Sequence, residues 1–195
     1  MEETHLLLQK LNDSFEKKGH HVSDSLLPSL SEQELREKCR WFPAELPKSV
    51  IRLYTWKGGQ AKDAWEEEYP FWFRDMSFIS LDQAKFEYAS MINSYGIDNT
   101  LEEDGVILEN AFPFAAFNGG WFVIPNGIHR WSKVHGEPVI CVLQGIQLYY
   151  FSLDTMLKTC IDAVNHPTWS SEESDLDESI EQEIWQKYNP GVFSE

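Results

Sequence analysis

Apolar residues follow two different periods along this chain, and the change of period marks its organisation. Over residues 3–18, Leu8, Leu11 and Phe15 recur at steps of three and four, which predicts a helix with one apolar stripe. Gly19-His20-His21 ends that pattern, and Ser23 to Pro28 reads as a linker. Ser31 and Glu34 stand at capping-box spacing: the hydroxyl accepts from the third helical amide while the carboxylate reaches back. The helix they open is expected to run to about Trp41. Pro43 and Pro47 bound the next turn. Leu46, Val50, Leu53 and Tyr54 predict another helix, stopped by Gly58-Gly59. Phe78-Ile79-Ser80-Leu81 reads as a short strand feeding a helix. Ser80 and Gln83 cap that helix, Ala84, Tyr88, Met91 or Ile92, and Tyr95 form its face, and Gly96 ends it.

The centre of the chain is different. Phe112 to Phe117 and Gly120 to Pro125 flank Asn118-Gly119, a pair that tolerates the positive φ angles of a tight hairpin turn. Both flanks are apolar at nearly every position, which implies strands covered on both faces. Val139–Leu143 and Ile146–Phe151, around Gln144-Gly145, predict a second pair. A helix then carries Leu153, Met156, Leu157, Cys160, Ile161 and Val164 on one face, closed by Pro167. Ser170 and Glu173 are expected to cap a tail helix bearing Leu176, Ile180, Ile184 and Tyr188. Residues 60–76 read as a loop or an irregular edge. The order implies an α+β fold: a single domain whose central, mainly antiparallel sheet has flanking helices.

Composition narrows the function classes. The chain has 195 residues, 42% of them hydrophobic and 8 of them Trp, enough apolar content to order most of it. Its 32 acids outnumber 16 bases, for a formal charge of −16, and its pI is near 4.7. Such a chain is repelled by phosphate, which argues against nucleic-acid and anionic-membrane partners. Cys39, Cys141 and Cys160 are too few and too scattered for a disulfide framework and read as free thiols. Met1-Glu2-Glu3 is acidic where a secretory signal is basic, and Leu6-Leu7-Leu8 is too short for its apolar core. The expected location is the cytoplasm.

No catalytic pattern emerges. Gly58-Gly59 and Gly119-Gly120 lack the spacing of a phosphate loop, and no nucleophile elbow is present. His129 and His135 flank Trp131 without a third metal ligand at usable spacing, and His20-His21 point apart on any regular element. Cys141 and Cys160 read as core thiols. Glu172 to Glu183 lacks the glycine turn of a calcium loop. A non-enzymatic protein without metal or cofactor is the expectation.

Charge is unevenly placed. No Lys or Arg lies between Lys85 and Arg130, or between Lys158 and Lys187, while the two windows hold 14 of the 32 acids. A one-sign patch attracts a basic partner and speeds encounter. Trp65, Tyr69, Phe71, Trp72 and Phe73, interleaved with acids, read either as a binding edge or as a loop folded over the core. The candidate partner-binding residues are Trp65, Glu66, Glu67, Glu68 and Trp72, with Glu102, Glu103 and Asp104 second.

Several segments taken together resemble the SUKH superfamily, named partly for the fungal Smi/Knr regulators of cell-wall assembly. Leu46-Pro47 with Leu53-Tyr54-Thr55-Trp56-Lys57-Gly58-Gly59 resembles the helix and turn that open this domain, although Lys57 stands where the family usually has Asn. Phe78-Ile79-Ser80-Leu81-Asp82-Gln83-Ala84 resembles its strand-to-helix step. Phe112-Pro113-Phe114 and Asn118-Gly119-Gly120-Trp121 resemble its central strands. Pro138-Val139-Ile140, Leu148-Tyr149-Tyr150 and Met156-Leu157 resemble its closing hairpin and helix. The resemblance covers about residues 28–165. It divides the chain into a helical extension at 1–25, a SUKH-like domain at 26–166 and an acidic helical tail at 167–195. It implies a protein-binding function, either an immunity-type protein that neutralises a toxin with a basic cleft or a cytosolic regulatory scaffold with no toxin partner. It transfers no catalytic residue.

Overall fold

The computed structural model describes residues 2–61, 72–73, 76–95, 106–127, 131, 136–169 and 176–192. Helices α1 (Glu2–Lys17), α2 (Glu32–Lys38) and α3 (Lys48–Trp56) come first, then strand β1 (Ser77–Phe78) and helix α4 (Leu81–Tyr95). Strands β2 (Ala111–Phe117), β3 (Gly120–Pro125), β4 (Val139–Val142) and β5 (Ile146–Tyr150) follow, then helices α5 (Leu153–Asn165) and α6 (Glu178–Tyr188). The fold is α+β: a five-stranded antiparallel sheet in the order β1-β2-β3-β4-β5, with helices packed against it. Among the described residues no helix is long and apolar enough to cross a membrane.

Local chemistry accounts for most element ends. Ser31 accepts from the Glu34 amide and Glu34 from the Ser31 amide, completing the capping box of α2. That helix stops at Lys38, one turn short of Trp41, because Trp41 turns in against Tyr88 and Phe112. Ser152 and Thr155 form the equivalent box on α5. The β2–β3 turn takes φ +48° at Asn118 and +77° at Gly119, the mirror-image turn that matches strand twist. The stretch expected as a plain linker contains a 3-10 turn at Val22–Ser25.

Residues paired across antiparallel strands share a face. Phe78, Ala115 and Phe122 therefore lie on one side of the sheet, and Ser77, Ala116 and Trp121 on the other. The first side faces α3 and α6: Tyr54 packs on Phe78 and Phe112, and Trp185 packs on Tyr149 and Tyr150. A bulge makes this last contact. The register slips between Val139 and Ile140 opposite Tyr149, so adjacent tyrosines both reach Phe122 and Trp185. On the second side α4 brings Tyr95 and Glu87 to Trp121, whose indole N–H donates to Glu87 at 2.7 Å.

The two segments expected as extensions are parts of this body. Leu8, Leu11 and Phe15 of α1 and Trp185 of α6 belong to the same buried cluster as the sheet. The tail helix also starts later than expected. Asp177, not Ser170, caps it, accepting from the Ser179 amide at 2.9 Å, and the side chain it buries deepest is Trp185. Ser170 and Glu173 lie outside the described residues.

Burial decides the behaviour of the thiols. Cys39 is 4% exposed, and desolvation pushes its thiol up to about 12. Cys160 is also buried, whereas Cys141 is half-buried, on the sheet side that carries Phe122. We expect a thiol reagent at pH 8 to leave Cys39 unmodified in the folded chain and to reach it only on denaturation. Rapid native labelling at Cys39, read by peptide mass spectrometry, contradicts that packing.

Candidate functional site

Most of the sequence-predicted site falls outside the described residues: Trp65, Glu66, Glu67, Glu68, Glu102, Glu103 and Asp104. Trp72 is described, and here the expectation of a surface anchor is corrected. Its side chain is fully buried, edge-on to Phe15, Trp56 and Phe73. A large apolar ring gains more from this cluster than from solvent exposure, and it offers a partner no surface. The alternative reading, of a segment folded over the core, holds for Trp72 and Phe73.

Acidic surface is described at the other end of the chain. Asp177, Glu178 and Glu183 are exposed on α6 and its cap. Three contacts fix this helix to the body. Trp185 seats it against the tyrosines of β5. Asn189, fully buried, accepts from the Phe151 amide at 3.0 Å and donates to the Trp185 carbonyl at 3.3 Å. Asp162 of α5 accepts from Lys187 at 2.7 Å and from the Tyr188 hydroxyl at 2.8 Å. The Asp162 carboxylate holds the Lys187 ammonium above its ordinary range, and the Ser179 hydroxyl holds Asp177 below its own. The acids of α6 are thus presented from a helix that is docked rather than loose.

A polar cleft of about 320 Å³ lies between α3, Glu137 and the start of α5. Lys48, Ser49, Arg52, Glu137, Ser152 and Asp154 line it. Glu137 accepts from the Lys48 and Ser49 amides at 2.7 and 2.8 Å and from the Ser49 hydroxyl at 2.8 Å. It therefore caps α3, whose preceding residue is Pro47 and supplies no side-chain cap. Asp154 accepts from Thr4 at 2.8 Å, and the His5 ring lies 3.0 Å from the Arg52 carbonyl. Ser49 thus faces a carboxylate, not an imidazole. Its carboxylates are engaged as a helix cap and as an α1–α5 tie. This geometry does not assemble a nucleophile, a base and an oxyanion donor. Among the described residues, no group of three or more His, Cys, Asp or Glu could hold a metal ion.

Sequence reasoning missed Glu137, Asn189 and Gln60, the last of which accepts from the Phe78 amide at 3.0 Å through its side-chain oxygen, as organising groups. Each bonds to backbone far away in sequence, so no local spacing marks it. No family model and no curated protein matches the chain.

Proposed function

We propose that this chain is a SUKH-like, non-enzymatic protein-binding domain of the immunity type, which neutralises a toxin by covering a basic cleft with acidic surface. The observation that carries the reading is the acidic α6, free of any base between Asp177 and Lys187 and pinned to the core by Trp185, Asn189 and Asp162. A rigid one-sign surface steers a partner of opposite sign without an ordering penalty at encounter. The order from α3 through the sheet to α5 also follows the segments that carry the resemblance.

A pull-down from the native host, read by mass spectrometry, identifies the partner. Reversing Glu66, Glu67 and Glu68 to Lys is then expected to slow association about tenfold or more at low salt. It also flattens the dependence of the on-rate on salt between about 50 and 300 mM. The same reversal at Glu178 and Glu183 tells which acidic segment meets the partner. Association unchanged by both sets removes the charge-steered reading, and recovery of partners without any toxin favours the regulatory scaffold.

A further inference from the structure

Acids outnumber bases by 32 to 16 in this chain, so bases that share a cleft without a carboxylate partner run against its composition. Lys48 and Arg52 are such a pair. They stand one turn apart on α3, and both line the cleft between α3, Glu137 and the start of α5. The ion pairs among the described residues are His21–Glu16, Arg36–Glu32, Lys158–Glu3 and Lys187–Asp162, and neither base is in one. Lys48 is exposed, whereas Arg52 is half-buried. The Arg52 guanidinium makes one long contact among the described residues, from Nη1 to the Thr4 hydroxyl at 3.4 Å, and the rest of its planar fork of donors is unused. The carboxylates that border the cleft are directed elsewhere. Glu137 spends Oε1 on the Lys48 amide and Oε2 on the Ser49 amide and hydroxyl. Asp154 accepts from Thr4 through Oδ1 at 2.8 Å, and its Oδ2 accepts from no described group. The Thr4 hydroxyl, on a residue 1% exposed, thus stands between Arg52 and Asp154 and keeps their charges as two separate groups.

We propose that this cleft binds a small amino acid, with its carboxylate on Lys48 and Arg52 and its ammonium on Oδ2 of Asp154. Three observations select that chemistry. The first is size. A volume of about 320 Å³ stands at the small end of small-molecule sites, which span about 300–1,000 Å³. The second is the arrangement of signs. Two bases without carboxylate partners lie on one side of the Thr4 hydroxyl and a half-used carboxylate on the other. A ligand with both charges satisfies each, whereas a simple anion leaves Asp154 facing it. A guanidinium fork also matches a carboxylate in two parallel bonds. The third is net charge. Two bases and two acids line the cleft of a chain that carries −16. A phosphate dianion adds to that excess of negative charge, whereas a zwitterion adds none. The site uses none of the acids of α6, so it stands whether or not the chain has a toxin partner.

The test is thermal unfolding of the full chain, followed by circular dichroism, with each of the common amino acids titrated to tens of millimolar at constant ionic strength. At least one is expected to raise the melting temperature by about 3 °C or more at about ten times its dissociation constant. Calorimetric titration then measures that constant. Two counterparts of the same molecule, one without its amino group and one without its carboxylate, are each expected to bind about tenfold more weakly or worse, and inorganic phosphate likewise. Arg52→Gln and Asp154→Asn are each expected to weaken the amino acid by about tenfold or more. Asp154→Asn keeps an oxygen for Thr4 and Lys48→Gln alters an exposed residue, so both are expected to melt as the wild type does without ligand. If no amino acid shifts the melting temperature, the proposal is overturned. Binding that Lys48→Gln, Arg52→Gln and Asp154→Asn all leave unchanged places the ligand elsewhere and overturns it too. Phosphate or the bare carboxylate binding as tightly as the amino acid shows a site for any anion, which overturns the assignment.

Discussion

Gly59→Ala is expected to cost about 4 kcal/mol or more, most of the stability of a domain at the low end of the usual range. Two costs combine at this position. Gly59 has φ +92°, a conformation that a residue with a Cβ adopts at a cost of about 1–2 kcal/mol. The added Cβ would also stand 2.4 Å from the Ile79 carbonyl oxygen and 2.7 Å from the Ser80 amide nitrogen. Neither atom can give way cheaply. The Ile79 carbonyl accepts from the buried Tyr54 hydroxyl at 2.8 Å, and the Ile79 amide donates to Phe114 of β2 at 3.1 Å. Moving Ile79 would disturb the junction of α3, β1 and β2 at once. Gly119→Ala separates the two costs, because its φ is +77° but open space surrounds the new Cβ. That variant should lose only the conformational share, about 1–2 kcal/mol. Urea midpoints of the two variants check the comparison, and equal losses would show that the contact with Ile79 is not tight.

The same pair of glycines shows what is legible in a sequence of this kind. Gly58-Gly59 marks a helix stop on its face, and Asn118-Gly119 marks a hairpin, because both signals depend on backbone freedom within a few residues. The capping boxes at Ser31 and Ser152 and the apolar strands β2 and β3 are local in the same sense. The close approach of Gly59 to Ile79 is not local, since the neighbour is 20 residues away. Gln60 sealing β1 and Glu137 capping α3 belong with it: their side chains replace groups that nearby sequence fails to supply. Nor could periodicity show that α1 completes the core, because a stripe of Leu8, Leu11 and Phe15 states that a helix has an apolar face and not what covers it. For the binding site, acid-rich windows are visible as composition, whereas their gathering on one surface is a tertiary property. Trp72 shows the limit for aromatic residues: a ring beside acids reads equally as anchor or as core until its neighbours Phe15 and Trp56 are known.

Trp185→Ala is expected to destabilise the chain by about 3–5 kcal/mol, a loss on the scale of emptying a core aromatic site. The periodic reading of the tail places Leu176, Ile180, Ile184 and Tyr188 on the buried face. Leu176 is buried as that reading expects, but it precedes the Asp177 cap and packs from outside the helix. The face that docks centres instead near Trp185, 5% exposed, with Ile180, Ile184 and Tyr188 half-buried around it. Ile184→Ala should therefore cost only about 1 kcal/mol. Asn189→Ala leaves the Phe151 amide without its acceptor and should cost about 1–3 kcal/mol. All three are read by denaturant unfolding of the full chain, with tyrosine and far-ultraviolet signals in place of Trp fluorescence for the first. If Trp185→Ala unfolds within about 0.5 kcal/mol of the wild type, the tail is an appendage. The acids of α6 would then be carried on a loose segment, and a docked acidic surface could not be the basis of partner binding. If it loses the full amount, the helix that carries those acids is continuous with the core beneath β5. A partner then meets a surface already in place, and disturbing Trp185 should raise the dissociation rate of the complex even though the Trp185 side chain is buried.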